Sequence, residues 1–399
     1  MLIKITKGGF ILDNLAAMKE QSERRNQNYI DVYEGRIPKE LPISVGVDGA
    51  AALEYAGKNL ILDQYNADAM IEAMDYVNGL FDTDSVVGFS SRLPSFYQLL
   101  GAENYKMGAD GFMQHPNIAG MEPEDYDALI EDPIAVCWEK VVPKYYKELA
   151  KPFPHNVIAI LKFQASRQAI MSKVGPAMGK LAAKYGKLTR SFSAGRTRAP
   201  FDLLADTFRS FTGVSTDIRR MPDKVLEAVE ALYPLCIKMG MGNVPPSRTV
   251  RVGIALHMPT FMREKDFAKF WWPTYKRQVE EFVNIGFGVN MFCEDNWMRY
   301  LDYLYELPAG CEMQFEYGDP KVIKAKLGEK HIIQGLYPVL LLRTGTVEEV
   351  ESKAKELIDV LAPGGNYIFG LDKGVLRASD AKVENLQALL KTVREYGKY

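Results

Sequence analysis

Residues 286–295, Gly-Phe-Gly-Val-Asn-Met-Phe-Cys-Glu-Asp, place a thiol and two carboxylates where a short apolar run meets a loop. Thiolates bind soft metals, and carboxylates move protons or bind cations. Cys293, Glu294 and Asp295 therefore admit two readings: a core thiol followed by solvated acids, or part of a reactive rim. Other reactive side chains end comparable apolar runs. They are Asp48, Ser90 with Ser91, His257, Glu316, Tyr337 and Asp372. The Tyr337 phenol is suited to donating a proton or hydrogen-bonding a substrate oxygen, with simple packing as the alternative. His257 reads equally as a ligand or as a satisfied histidine behind one.

The elements that must position these groups are short strands. Eight candidates stand at 42–48, 85–90, 188–195, 250–258, 289–293, 312–317, 331–336 and 367–371. From the third onward nearly every gap holds one helical pattern, which predicts a parallel sheet. Eight units over this length predict an α/β fold of the (β/α)8 TIM-barrel type, whose chemistry sits at the C-terminal ends of the strands. That rule brings Asp48, Ser90, His257, Cys293, Glu294, Glu316, Tyr337 and Asp372 to one rim. We expect an N-terminal extension over 1–40 and the barrel over 41–399. The irregular stretch 92–122, rich in Gly, Met and aromatics, is expected to be an insertion or lid. It places Phe96 to wall an aromatic substrate.

Composition excludes several classes. A formal charge of −2 leaves no basic field for nucleic acid. No apolar run approaches the ~20 residues of a membrane span. The N-terminus lacks the pattern of a secretion signal. Cys137, Cys236, Cys293 and Cys311 are widely spaced, which predicts a reducing, cytoplasmic setting rather than a disulfide framework. Only four histidines are present, so a structural zinc site of fixed Cys/His spacing is not expected.

Several segments, in this order, resemble the uroporphyrinogen decarboxylase superfamily. They are Phe89-Ser90-Ser91, Leu100-Gly101-Ala102-Glu103, Gly195 with Ala199-Pro200-Phe201, and Phe261-Met262-Arg263-Glu264-Lys265-Asp266-Phe267. Then come the strand ending in Cys293, Gln334-Gly335-Leu336-Tyr337-Pro338, Gly364-Gly365-Asn366-Tyr367-Ile368-Phe369, and a tail from Glu384 to Tyr396. The resemblance spans roughly residues 40–397 and implies the same (β/α)8 barrel.

The superfamily has two chemistries: cofactor-free decarboxylation of a porphyrinogen, and methyl transfer to or from a corrinoid (cobalamin-type) protein, with zinc as activator. The chain departs from the decarboxylases at Ser91, where they carry an Asp, and in lacking their Arg-rich N-terminal segment. It departs from the thiol methyltransferases in reading Met291-Phe292-Cys293 for His-x-Cys, and in carrying Asp372 or Lys373 where they have a second Cys. A mixed zinc site of Cys293, His257 and Asp372, with Glu294 or Glu316 nearby, stays open beside an unliganded thiol.

The expected function is therefore methyl transfer from a small methoxylated substrate, expected to be aromatic, to the cobalt of a corrinoid-binding partner protein, an O-demethylation of the kind found in anaerobic metabolism. Glu294, Glu316 and Tyr337 are the expected catalytic groups. Asp48, Ser90, Ser91 and Phe96 are the expected substrate contacts. Zinc and a homodimer are expected. The alternatives are transfer from a methylcorrinoid to a thiol, a decarboxylase, and a binding protein on an inactive barrel.

Overall fold

Apolar positions alternating along short runs, each followed by a helix former, are the local cause of a parallel sheet with helices behind it. The computed structural model describes residues 7–90 and 92–399, with side chains from residue 15 onward. Nine strands are described: β1 (Ile43–Ser44), β2 (Lys106–Met107), β3 (Met113–Gln114), β4 (Ser193–Arg198), β5 (Arg251–Leu256), β6 (Gly288–Asn296), β7 (Glu312–Tyr317), β8 (Ile332–Tyr337) and β9 (Tyr367–Leu371). All but the β2–β3 pair are parallel, and the fold is α/β and TIM-barrel-like. None of the described helices is long and apolar enough to cross a membrane.

The chain divides into two compact units. The first combines the segment up to residue 91 with Ile170–Ser191 and Pro320–Tyr399. Its strands run β1–β9–β8. A buried charge cluster ties its distant segments together. Asp84 accepts the Ile43 amide at 2.7 Å and pairs with Arg25 at 3.2 Å and with Arg394. Lys187 donates to the Phe81 carbonyl at 2.7 Å and to Thr83 Oγ1 at 3.1 Å.

The expected strand at 85–90 is absent. The Asn78 side chain takes both backbone groups of Val87, at 2.9 Å each, so a strand partner is not needed there. The helix Gly49–Tyr55 closes against the same segment. A Cβ at Gly49 would lie 2.1 Å from the Ser90 amide nitrogen, so only glycine fits.

The second unit comprises Arg92–Ala169 and Phe192–Asp319. Its strands run β4–β5–β6–β7. The stretch 92–122 folds into the helix Pro94–Leu99 and the antiparallel β2–β3 pair. One face of the sheet meets helices. Thr197 Oγ1 donates to the Cys236 carbonyl in the helix Pro222–Met241 at 2.8 Å. Tyr275, in the helix Trp272–Ile285, donates to Met291 Sδ at 3.1 Å.

Strand alternation then fixes the opposite, inner face. Along β6, Val289, Met291 and Cys293 are fully buried on the helix side, while Asn290, Phe292 and Glu294 are partly exposed on the other. β5 and β7 repeat the pattern, sending His257, Gln314 and Glu316 to the inner face.

Candidate active site

The site is built at the C-terminal ends of β4, β5 and β6. β4 ends at Arg198, and Pro200 at the first helical position opens the short helix Pro200–Leu203. A π-helical turn, Leu204–Arg209, follows directly. Such turns recur at functional sites. Asp202 and Asp206 lie four residues apart here and so project from the same side of the helical path.

Asp206 Oδ2 accepts from Arg198 Nε and from His257 Nδ1, each at 2.9 Å. The second contact makes Nδ1 the donor and leaves Nε2 facing the inner side. There it lies 3.4 Å from Glu294 Oε2. The hydrogen bond and charge of Asp206 raise the His257 pKa to about 9 against the opposing effect of burial. The imidazole is therefore protonated at neutral pH. Burial pushes the Asp206 carboxyl up, but His257 and Arg198 outweigh it and hold the pKa below the ordinary carboxylate value.

Asp202 is the deeper acid. It accepts from Trp271 Nε1 at 2.8 Å and from the backbone amides of His257 and Met258 at 3.0 and 3.4 Å. Burial, reinforced by the neighbouring Asp206 charge, pushes its pKa up to about 7. It fixes the end of β5 to the aromatic core and so fixes the height of His257.

The other rim residues support the loop. Glu316 accepts the Asp295 amide at 2.8 Å, and Asp295 adopts the left-handed conformation with φ of 61°. In the insertion, Tyr105 stacks on His115 with ring centroids 4.5 Å apart, and Arg92 covers the Tyr105 ring at 5.2 Å. Burial and the Arg92 charge lower the His115 pKa, while Asp206 acts to raise it. The insertion thus reaches the electrostatic range of the Asp206–His257 couple.

The family description Uroporphyrinogen decarboxylase (URO-D) matches residues 148–396, more than half of the chain. The chain belongs to the uroporphyrinogen decarboxylase family. Among solved structures, a methyltransferase from Methanosarcina mazei is similar with a TM-score of 0.58 at 15% identity, over 92% of this chain and 97% of that one. At that identity the likeness is one of fold. No curated protein matches the chain.

Within this family the expected residues fall into two groups. His257, Glu294 and Glu316 come together on the inner face of the second unit. Phe96 is in the same unit, edge-on to Phe163 at 5.7 Å. The expected metal set needs correction. Cys293 is fully buried on the helix side, opposite His257 and Glu294, and burial pushes its thiol well up in pKa. Among the described residues no three His, Cys, Asp or Glu side chains are arranged to hold a metal ion. The residues present therefore do not fit the expected zinc site.

The remaining expected residues belong to the first unit. Asp372 Oδ1 accepts the amides of Val339 and Lys373, at 3.0 and 2.7 Å, as a loop cap. Tyr337 is corrected as a proton donor. It is fully buried, and its hydroxyl donates to the Val350 carbonyl at 3.1 Å in the helix Val347–Leu361. Asp48 caps the helix Gly49–Tyr55 through the Ala50 amide at 2.8 Å. Ser90 sits against Gly49. Ser91 lies outside the described residues.

Sequence reasoning missed Asp206, Asp202, Arg198 and His115. The first two stand one turn apart after a strand and an N1 proline, a pattern that ordinary helix starts share.

Proposed function

We propose that the protein is a methyltransferase that removes the methyl group of a small methoxylated, aromatic substrate and passes it to a corrinoid-binding partner protein. The observation that carries the reading is the His257–Asp206 couple, a protonated imidazole held by one nitrogen and presented by the other on the inner face. Family membership and the methyltransferase among the similar folds support it.

An ether methyl leaves reluctantly, because its oxygen must carry away the electron pair of the broken C–O bond. A corrinoid held by the partner would supply the reduced cobalt as methyl acceptor. His257 Nε2 donates its proton to the departing oxygen, so the product is a neutral phenol. Asp206 stabilises the imidazolium before transfer and keeps the ring aimed. Glu294, beside Nε2, returns the proton between turnovers. Arg198 holds Asp206 ionised. General-acid groups of this kind contribute about 10²–10⁴-fold in rate.

The test uses free cob(I)alamin as acceptor and 4-methoxybenzoate as donor, following loss of the Co(I) absorption together with phenol formation. We expect turnover by the wild type and a loss of about 10²-fold or more in His257→Gln. No demethylation of any methoxyarene, or carbon dioxide release from uroporphyrinogen, overturns the reading.

A further inference from the structure

We infer that the inner face of β4–β6 carries a carboxylate subsite, built by Arg196 and Arg198, so that the substrate is an aromatic carboxylate; the methoxy part of this statement rests on the function proposed above. The register sorts the inner face into tiers. The upper tier is His257, Glu294 and Glu316. The middle tier is Arg198, Ala255, Phe292 and Gln314, in register across four strands. The lower tier is Arg196, Gly253, Asn290 and Glu312.

Charge is distributed unequally among the tiers. The upper tier holds two carboxylates. In the lower tier, Glu312 is already paired with Arg251 at 3.1 Å, both buried. That leaves two guanidinium groups on β4 with no uncommitted acid at their level. Arg198 uses only its Nε, on Asp206. Arg196 has no hydrogen-bond or ion-pair partner among the described residues, and it is not folded away from the sheet. A Cβ at position 253 would touch its Cγ at 3.4 Å, so the stem lies over Gly253. A forked, exposed cation on the inner face of this sheet, without a protein partner, is suited to a carboxylate brought by a ligand.

The middle tier supplies the rest of the outline. Ala255 leaves a low floor between Arg198 and the Phe292 ring, the width of one strand on either side. A flat ring fits there against Phe292. Two residues along a strand rise roughly 7 Å, about the reach of a para-substituted benzene ring. A carboxylate held at the level of Arg198, with Arg196 reaching it from the tier beneath, therefore puts the opposite substituent level with His257 and Glu294.

The experiment is calorimetric titration of the whole protein with benzoate and with benzamide, which has the same shape without the charge. Wild type should bind benzoate more tightly than benzamide. Arg196→Gln should weaken benzoate by about tenfold or more and leave benzamide unchanged. Arg196→Lys, which keeps the charge and loses the fork, should fall between. Equal affinity of the wild type for the two ligands overturns the subsite without any variant. So does unchanged benzoate binding by a folded Arg196→Gln. The two proposals fail separately. Arg196-dependent binding of 4-methoxybenzoate without methyl release leaves the subsite and removes the reaction. Demethylation of uncharged methoxybenzene as fast as 4-methoxybenzoate does the reverse.

Discussion

His257 draws its properties from one oxygen atom. Asp206 Oδ2 serves both its Nδ1 and Arg198 Nε, so the carboxylate stays ionised while the imidazole stays protonated. Asp206→Asn keeps the shape and removes the charge. We expect the His257 pKa to fall from about 9 toward its ordinary 6.5. Proton donation then fails at lower pH, and the alkaline limb of the pH–rate profile moves down with it. NMR titration of the ring gives the same shift independently of activity. Cys293 invites the opposite expectation. Buried on the helix side with a raised pKa, it acts as a small apolar group. Cys293→Ser should leave metal content unchanged and cost about 1–3 kcal/mol in urea unfolding, from a hydroxyl buried in an apolar layer. A loss of bound metal in that variant would restore the thiol to the site.

At the scale of elements, the Asp84 cluster joins the helix Lys7–Tyr33, β1 and the helix Val383–Tyr396 through a single carboxylate. Asp84→Ala strips the Ile43 amide of its acceptor and leaves the buried Arg25 and half-buried Arg394 sharing only the exposed Asp82, and we expect a loss of about 1–3 kcal/mol by denaturant unfolding. Much of the element order was legible in the sequence, because β5 to β9 are alternating or continuous apolar runs with helices between. Two failures have physical causes. The segment 85–90 has strand composition, but Asn78 and Gly49 draw it into a different hydrogen-bonding scheme. β4 was expected at 188–195 and lies at Ser193–Arg198, because its inner positions are Arg196 and Arg198 rather than apolar residues. Pattern reading fails where the inner positions of a strand carry charged side chains instead of apolar ones. The acids of the site were hidden for a related reason. Asp202 and Asp206 look like ordinary first-turn helix acids, and only the register of β4 with β5 puts them beside His257.

Over the whole molecule, the half-buried His257 and the buried Lys187 set opposing pH dependences. The folded pKa of His257, about 9, lies above the ordinary 6.5. Its contribution to stability is complete below the lower value and is lost as pH rises through the upper one. Burial, with the Arg25 charge, lowers the Lys187 pKa from 10.5 to about 7. Its cost is absent above the upper value and full below the lower, so stability rises with pH across that window. In the wild type the two slopes partly cancel in mildly alkaline solution. Lys187→Met removes the rising one. We expect that variant to be more stable near neutrality and to lose stability steadily with rising pH, as followed by urea midpoints across the range. A flat or rising curve in the variant would mean that the His257 shift is absent, and identical slopes in variant and wild type would mean that Lys187 is solvated.

The two-residue repeat of β6 also has a consequence for how this family could change its chemistry. Thiol and carboxylate are neighbours in the chain, yet they look in opposite directions from the sheet. Deleting one residue early in that strand, with the pairing otherwise kept, would turn Cys293 toward His257 and bury Glu294 among the helices. A thiolate beside an imidazole is the beginning of a zinc centre. A reading-frame-preserving loss of one codon, compensated in the following loop, would thus be a shorter route from a proton-donating to a metal-binding version of this site than stepwise replacement of each ligand. A laboratory lineage started from such a deletion could trace that route.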